Sequence, residues 1–306
     1  MGIDIQNAEE GHNNVPIKQG LQSVGIILGL YLALSILLPL HRFDFRHLDP
    51  AVRILLVIVP TALFMLLQLL LSVSLVRLKL TSGLLVAVGL LSVLVWLTVL
   101  EFFHPYHRVN YDTWLVFRLS RYALLSVFLT ISITCFGSLL SLIIKERSLL
   151  LPVALIAMPI DYLGAMTPTG FTHDMVEHAS KIVSSVSVSV PAVSAHGVSI
   201  SPIAFIGPGD VLFMAMFFAA VQRFELAERA TFWWMYGLLT FSMIIAIHFF
   251  PVAALVPMGL AVIVANAAKI KLKREEVFAV LYAGALIIVL VCLFYWSSHK
   301  YLFHSH

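Results

Sequence analysis

Two carboxylates set inside apolar sequence are the residues best placed to do chemistry. Asp161 lies in the run LLLPVALIAMPIDYLGAM, and Asp210 lies in IAFIGPGDVLFMAMFF, directly after Gly207-Pro208-Gly209. The other fourteen of the sixteen acidic residues lie in tails, in loops or close to an expected membrane edge. A carboxylate within hydrocarbon is energetically costly, so it is a functional candidate that needs a partner. Each aspartate can serve as that partner for the other.

A pair of carboxyl groups in a low-dielectric site favours a state with one shared proton, because two adjacent negative charges repel each other. The ionised carboxylate can take a proton from water while the protonated one donates to a carbonyl oxygen. This is the chemistry of an aspartic protease, and it requires neither a metal nor a covalent intermediate. We therefore predict that Asp161 and Asp210 form a catalytic dyad that uses no cofactor.

The glycines beside Asp210 suggest how a substrate reaches the dyad. Gly207 and Gly209 carry no side chains, so another backbone can approach closely. Pro208 removes a backbone donor and limits regular helix at this point. We therefore predict that Gly207 and Gly209 bind the substrate.

The rest of the chain has the composition of a membrane protein. Of its 306 residues, 60% are hydrophobic and only 11% are charged, unlike a soluble domain. Apolar runs of about 20 residues recur, each long enough to cross a hydrocarbon core of about 30 Å, and helices satisfy the backbone there. The predicted fold class is an all-α polytopic membrane protein with about nine transmembrane helices. The predicted spans are 21–40, 52–76, 82–103, 116–144, 149–167, 202–222, 230–250, 251–268 and 277–296.

These spans divide the chain into four parts. Residues 1–20 form a polar N-terminal tail, and 21–146 form a four-helix N-terminal membrane half. The predicted catalytic half covers 149–268 and contains the loop 168–201 between the aspartates. Residues 277–306 form an extra C-terminal helix and tail.

The distribution of basic residues predicts an orientation. The N-terminal tail and even-numbered loops carry eleven Lys and Arg residues, including the KIKLKR cluster at 269–274, and the opposite side carries eight. Because basic loops face the cytoplasm, the N-terminus is predicted to be cytoplasmic. The expected partners are the lipid bilayer and transmembrane helices of substrate proteins. The net charge of +3 includes no basic face that suggests nucleic acid.

The loop between the aspartates contains a strand pattern. Ser and Val alternate from Ser185 to Val190, which is a period of two. A substrate helix must unwind before cleavage, and its backbone then needs new hydrogen-bond partners. We predict that Val183 to Val190 offers an edge strand for substrate addition, with Val186 and Val188 as substrate-binding residues.

Three elements resemble the presenilin and signal-peptide-peptidase family of intramembrane aspartyl proteases. Asp161 is followed by Pro168, Gly170 and the segment MVEHA at 175–179. The Gly-x-Gly-Asp sequence at 207–210 and the proline-bounded segment PVAALVP at 251–257 then follow in the family's order. The resemblance covers 149–268 and implies cleavage of peptide bonds within transmembrane segments. It also implies substrate contacts by Pro251, Ala253, Ala254 and Leu255.

Two other classes of function remain open. In a transporter or channel, the two aspartates would form a proton or cation relay, and the helix breaks at 207–209 and 251–257 would suit that role. Against it, the sequence contains no inverted repeat. A third possibility is a scaffold that binds helices without catalysis.

Other catalytic patterns are less well supported. Twelve histidines are present without a His-Glu-x-x-His sequence, so no metal site is predicted. A Ser–His pair would need Ser132, Ser138 or Ser141 together with His248. Nothing near these serines favours that role over hydrogen bonding between helices.

Overall fold

A computed structural model provides the fold. It describes residues 17–40, 42–43, 49–102, 111–166, 186–190, 194–195, 204–248 and 252–270, with single residues at 278, 282, 285 and 289. The polar tail, Pro251, most of the loop 168–201 and nearly all of the ninth predicted span lie outside these residues. The helices and the strands next to both aspartates lie within them.

Helices dominate the described chain. They are α1 (Ile17–Leu40), α2 (Pro50–Arg77), α3 (Ser82–Phe102), α4 (Tyr111–Leu140), α5 (Leu150–Met166), α6 (Pro208–Arg223), α7 (Glu228–His248) and α8 (Leu255–Asn266). By length and composition, the first five contain segments that can cross a membrane. The prediction of a mostly helical chain with helices long and apolar enough to cross a membrane is confirmed. The arrangement with nine spans stays a prediction.

Four short strands accompany the helices. They are β1 (Arg42–Phe43), β2 (Val188–Val190), β3 (Ser194–Ala195) and β4 (Ala204–Ile206). β1 pairs with β3 in parallel, and β2 pairs with β4 antiparallel, with Val188 opposite Ile206 and Ser189 opposite Phe205.

The strand β4 corrects one predicted span. Residues 202–222 were expected to form one helix, but 204–206 are extended and the helix begins at Pro208. Proline cannot donate a backbone hydrogen bond and is favoured in the first turn of a helix, where no donor is needed. Pro208 therefore separates the strand from the helix.

The centre of the packing is α6. Val211, Ala215 and Phe217 on this helix have no exposed surface, and α6 contacts both α2 and α4. By contrast, α3 exposes large apolar side chains such as Leu91 and Leu94, as expected for a surface that faces lipid. The helix that carries Asp210 is thus enclosed by its neighbours.

Two glycines let each helix that carries an aspartate pack closely on a neighbour: α6 on α4, and α5 on α8. A Cβ on Gly137 of α4 would lie 2.4 Å from the carbonyl oxygen of Leu212 in α6. A Cβ on Gly259 of α8 would lie 2.7 Å from Cγ of Met158 in α5. Only glycine fits the first contact without backbone movement.

The ends of several helices meet at one side, here called the basic end. Arg77 at the end of α2 forms a 2.7 Å ion pair with Glu228 at the start of α7. Arg223 at the end of α6 donates to the carbonyl oxygen of Ile144, between α4 and α5. Arg77 and Arg223 make these contacts. Other cations near these helix ends in sequence are Lys79, Lys145, Arg147, Arg229 and Lys269.

A buried asparagine attaches α8 to the same end. Asn266 has no exposed surface. Its side chain accepts a hydrogen bond from the amide of Ala227 and donates to the Thr231 hydroxyl and the Val262 carbonyl oxygen. The C-terminal end of α8 is therefore fixed beside the connection between α6 and α7.

Candidate active site

Asp210 is the third residue of α6. The backbone amide of Gly207 donates a 3.2 Å hydrogen bond to Oδ2 of Asp210, one half of a capping box. The sequence suggested that Pro208 loosens a continuous helix here, whereas the structure begins the helix at this residue. The partly buried carboxylate therefore lies at a helix start, where backbone N–H groups and the helix dipole favour an anion.

Asp161 lies near the C-terminal end of α5. The backbone amide of Leu255, the first residue of α8, donates a 2.8 Å hydrogen bond to its Oδ2. The first amides of a helix have no acceptor within that helix, so Asp161 supplies one. Each aspartate thus accepts a backbone amide at the start of a helix.

The two aspartates lie at similar distances from the basic end. The hydrogen bond from Arg223 to Ile144 holds the end of α6 beside the turn that precedes α5. At about 1.5 Å per helical residue, Asp210 lies about 20 Å from Arg223, and Asp161 lies about 20 Å from Arg147. Asp161 and Asp210 are also close enough to interact electrostatically.

Space remains around the predicted substrate-binding glycines. A Cβ on Gly209 would meet no heavy atom within 4 Å among the residues the structure describes. A Cβ on Gly207 would lie 3.4 Å from Oδ2 of Asp210, an ordinary contact. Among the described residues, none therefore occupies the space directly next to Gly209.

The proline-bounded segment reaches Asp161. Val252 and Ala253 are not helical, Ala254 forms a turn, and α8 begins at Leu255. Ala253 and Leu255 are buried, with 4% and 6% exposure. The hydrogen bond from the Leu255 amide brings the backbone at this point to the Asp161 carboxylate, and contact of the segment with a substrate stays a prediction. Pro251 lies outside the described residues.

The predicted docking strand is shorter than expected. The strand β2 contains only Val188 to Val190, and Val186 is helical and half-buried. Val188 and Val190 have no exposed surface. Neither Val186 nor Val188 presents an extended open edge.

The outer edge of β2 is covered by α4. The amide of Ser189 donates a 3.2 Å hydrogen bond to the Ser126 hydroxyl of α4, so this amide points away from β4. In an antiparallel pair, two residues opposite each other either both direct their N–H and C=O groups toward the partner strand or both direct them away from it. Phe205, opposite Ser189, therefore directs its N–H and C=O to the outer edge of β4. Neither this edge nor the contact of Ser126 with β2 was predicted from the sequence, because Ser126 is one of several serines in an apolar helix.

Two of the three serines considered for a Ser–His pair, Ser138 and Ser141, bond within their own segment. Ser138 donates to the carbonyl oxygen of Thr134, and Ser141 donates to that of Ser138. The side chain of His248 lies outside the described residues. Within the described part of the chain, no three His, Cys, Asp or Glu side chains gather to hold a metal ion.

Comparison of the chain with protein-family models, curated proteins and solved structures found no match. The case for a presenilin-like protease therefore depends on the sequence elements and geometry of this chain.

Proposed function

We propose that the chain is an intramembrane aspartyl protease of the presenilin and signal-peptide-peptidase type. It hydrolyses peptide bonds within transmembrane segments, spans the bilayer about nine times and keeps its N-terminus in the cytoplasm. The observation that carries the proposal is that Asp161 and Asp210 are within electrostatic reach of each other and that each accepts a backbone amide from the start of a helix.

The reaction needs only the dyad and a water molecule. The ionised carboxylate takes a proton from water, and the resulting oxygen nucleophile attacks the carbonyl carbon of the scissile bond. The protonated carboxyl group gives its proton to the carbonyl oxygen. When the tetrahedral intermediate collapses, the C–N bond breaks, the leaving nitrogen takes the proton held by the protonated aspartate, and a hydroxyl of the intermediate gives its proton to the other aspartate, which leaves one shared proton on the dyad.

The substrate docks as an added strand on the outer edge of β4. Phe205 directs its backbone groups to that edge, and the strand leads within a few residues to Gly207 and Asp210. Main-chain hydrogen bonds to β4 replace those that the substrate loses when its helix unwinds. The open space at Gly209 then admits the scissile segment to the dyad.

The direct test is cleavage of a labelled transmembrane peptide by purified protein in lipid vesicles. Asp161→Asn and Asp210→Asn should each reduce turnover by about a thousandfold, because each removes an acid–base group. Glu146→Gln, an exposed acid near the basic end, is the matched control and should retain wild-type turnover. Substantial cleavage by Asp210→Asn would rule out the dyad mechanism.

One observation favours the proton or cation relay as a second candidate. Both α6 and α8 begin beside an aspartate rather than at the basic end, as discontinuous helices do at transporter binding sites, and the aspartates themselves would carry the proton or cation. Vesicles that contain the protein would then show proton or cation flux without a peptide substrate. Flux that Asp161→Asn abolishes, together with no peptide cleavage by the wild type, would support the relay.

A further inference from the structure

A cluster of polar side chains is buried between α1, α2 and α4. Its members are Tyr31, Gln68, Ser126 and Thr130, each at most 3% exposed. The side-chain amide of Gln68 donates a 3.1 Å hydrogen bond to the Thr130 hydroxyl. The Tyr31 hydroxyl is buried near Thr130 and Ser126 but makes no hydrogen bond of ordinary geometry with any described residue. We call these four residues the polar cluster.

The polar cluster reaches the strands through Ser126. Ser126 and Thr130 lie four residues apart and therefore share one face of α4. Ser126 accepts the outward amide of Ser189, while Val188 and Val190 on either side are fully buried. The N-terminal membrane half thus contacts β2 through α4, with the hydrogen bond from Ser189 to Ser126 as the polar contact.

We propose that Ser126 is a positioning residue for the substrate. Its hydroxyl, held among the side chains of the polar cluster, fixes β2 on α4 and covers the outward amide of β2. An incoming strand is then directed to the opposite edge of the sheet, at Phe205. This inference rests on the proposed protease function and adds a role for the N-terminal half.

Loss of the Ser126 hydroxyl should affect the binding and the strand register of the substrate more than the chemical step. Without the hydroxyl, the Ser189 amide lacks its partner in a buried place, so β2 loosens and β4 loses a fixed neighbour. The substrate then binds more weakly and in more than one register. Ser126 hydrogen-bonds to β2 and not to either aspartate, so the turnover of correctly bound substrate should change little.

Three variants separate this role from a general packing effect. Ser126→Ala removes the hydroxyl, and Ser126→Thr restores it with an added methyl group. Ser138→Ala is the matched control, because Ser138 is a buried serine on the same helix, with 8% exposure. Within the described part of the chain, its hydroxyl bonds to the carbonyl oxygen of Thr134 in its own helix.

The first measurement is hydrogen exchange of the β2 segment in purified protein without substrate. Ser126→Ala should speed exchange at 188–190 about fivefold to tenfold, the loss expected for one hydrogen bond. Ser126→Thr and Ser138→Ala should stay near the wild type. Exchange that is unchanged in Ser126→Ala, or equally faster in Ser138→Ala, overturns the proposed contact.

The second measurement is cleavage of a labelled transmembrane peptide. Ser126→Ala should raise KM about tenfold, change kcat less than about twofold and broaden the distribution of cut sites, whereas Ser126→Thr restores all three. If the wild type cleaves but Ser126→Ala retains its KM and cut sites, the positioning role is wrong and the protease survives. If the wild type does not cleave at all, the proposed function fails and the docking role falls with it, whatever the exchange data show.

Discussion

The backbone amide of Leu255 lies 2.8 Å from Oδ2 of Asp161, although 94 residues separate the two in sequence. This hydrogen bond joins the start of α8 to the C-terminal part of α5. A helix start needs acceptors for its first amides, and here the acceptor is a predicted catalytic residue. Asp161 therefore has a structural role beside its proposed chemical one.

The structural role of Asp161 predicts different effects for two substitutions. Asp161→Ala leaves the Leu255 amide without its acceptor and should lower the free energy of unfolding by about 1–2 kcal/mol. Asp161→Asn keeps a side-chain oxygen in place and should remain close to wild-type stability. Denaturant unfolding in detergent micelles would measure the difference. Equal stability of the two variants would show that the hydrogen bond contributes little.

The shared proton of the dyad predicts a bell-shaped dependence of cleavage on pH. At low pH both carboxyl groups carry protons, so no base remains to activate water. At high pH both are ionised, so no acid remains to protonate the carbonyl oxygen. Turnover of a labelled transmembrane peptide should fall on both sides of a maximum. A profile that rises steadily with pH over the stable range of the protein would contradict this mechanism.

The contact between Gly137 and α6 predicts a loss of both stability and activity. Gly137→Ala places a methyl group 2.4 Å from the Leu212 carbonyl oxygen and 2.8 Å from Cβ of Ala215. Such overpacking costs about 1–3 kcal/mol and displaces the helix that carries Asp210. Thermal unfolding and peptide cleavage, measured on the same preparation, would show both losses.

Two other glycines serve as graded controls for Gly137→Ala. A Cβ on Gly259 would lie 2.7 Å from Cγ of the flexible Met158 and 3.0 Å from the Ala154 carbonyl oxygen. Because this backbone contact is longer than the one at Gly137, Gly259→Ala should be milder. A Cβ on Gly237 of α7 meets nothing within 4 Å in the described structure, so Gly237→Ala should be neutral or slightly stabilising. A different order of the three variants would contradict the packing argument.

Because the space at Gly209 is open, a substitution there should change activity without lowering stability. Gly209→Ala adds a methyl group where none of the described atoms lies within 4 Å, at a helical position where alanine is favoured. Stability should therefore be kept or slightly raised, whereas KM for a transmembrane peptide should rise because the methyl group occupies the space proposed for the substrate. Unchanged KM in a folded Gly209→Ala variant would place the substrate elsewhere.

Much of the architecture could be predicted from the sequence, because apolar runs of spanning length specify helices in lipid. The helix α5 was expected at 149–167 and lies at Leu150–Met166. The helix break expected within 251–257 is found at Val252 and Ala253, directly before α8. The strand β4 could not be predicted, because a short apolar run has the same composition as the end of a spanning helix. The contact between Ser126 and Ser189 depends on packing between distant segments, which local sequence does not reveal.

The geometry of the strand pair predicts opposite effects of proline on its two strands. Phe205→Pro removes an amide that points to the outer edge of β4, so the ladder between β2 and β4 should stay intact. Val188 precedes Ser189, whose amide points outward, so the Val188 amide points inward to β4. Val188→Pro removes this inward amide and also alters a fully buried side chain. Phe205→Pro should therefore keep the fold and lose most cleavage through a higher KM, whereas Val188→Pro should lower the unfolding temperature as well. Cleavage kinetics and thermal unfolding of both variants would test this, and a folded Phe205→Pro protein with wild-type KM would show that the substrate does not add to β4.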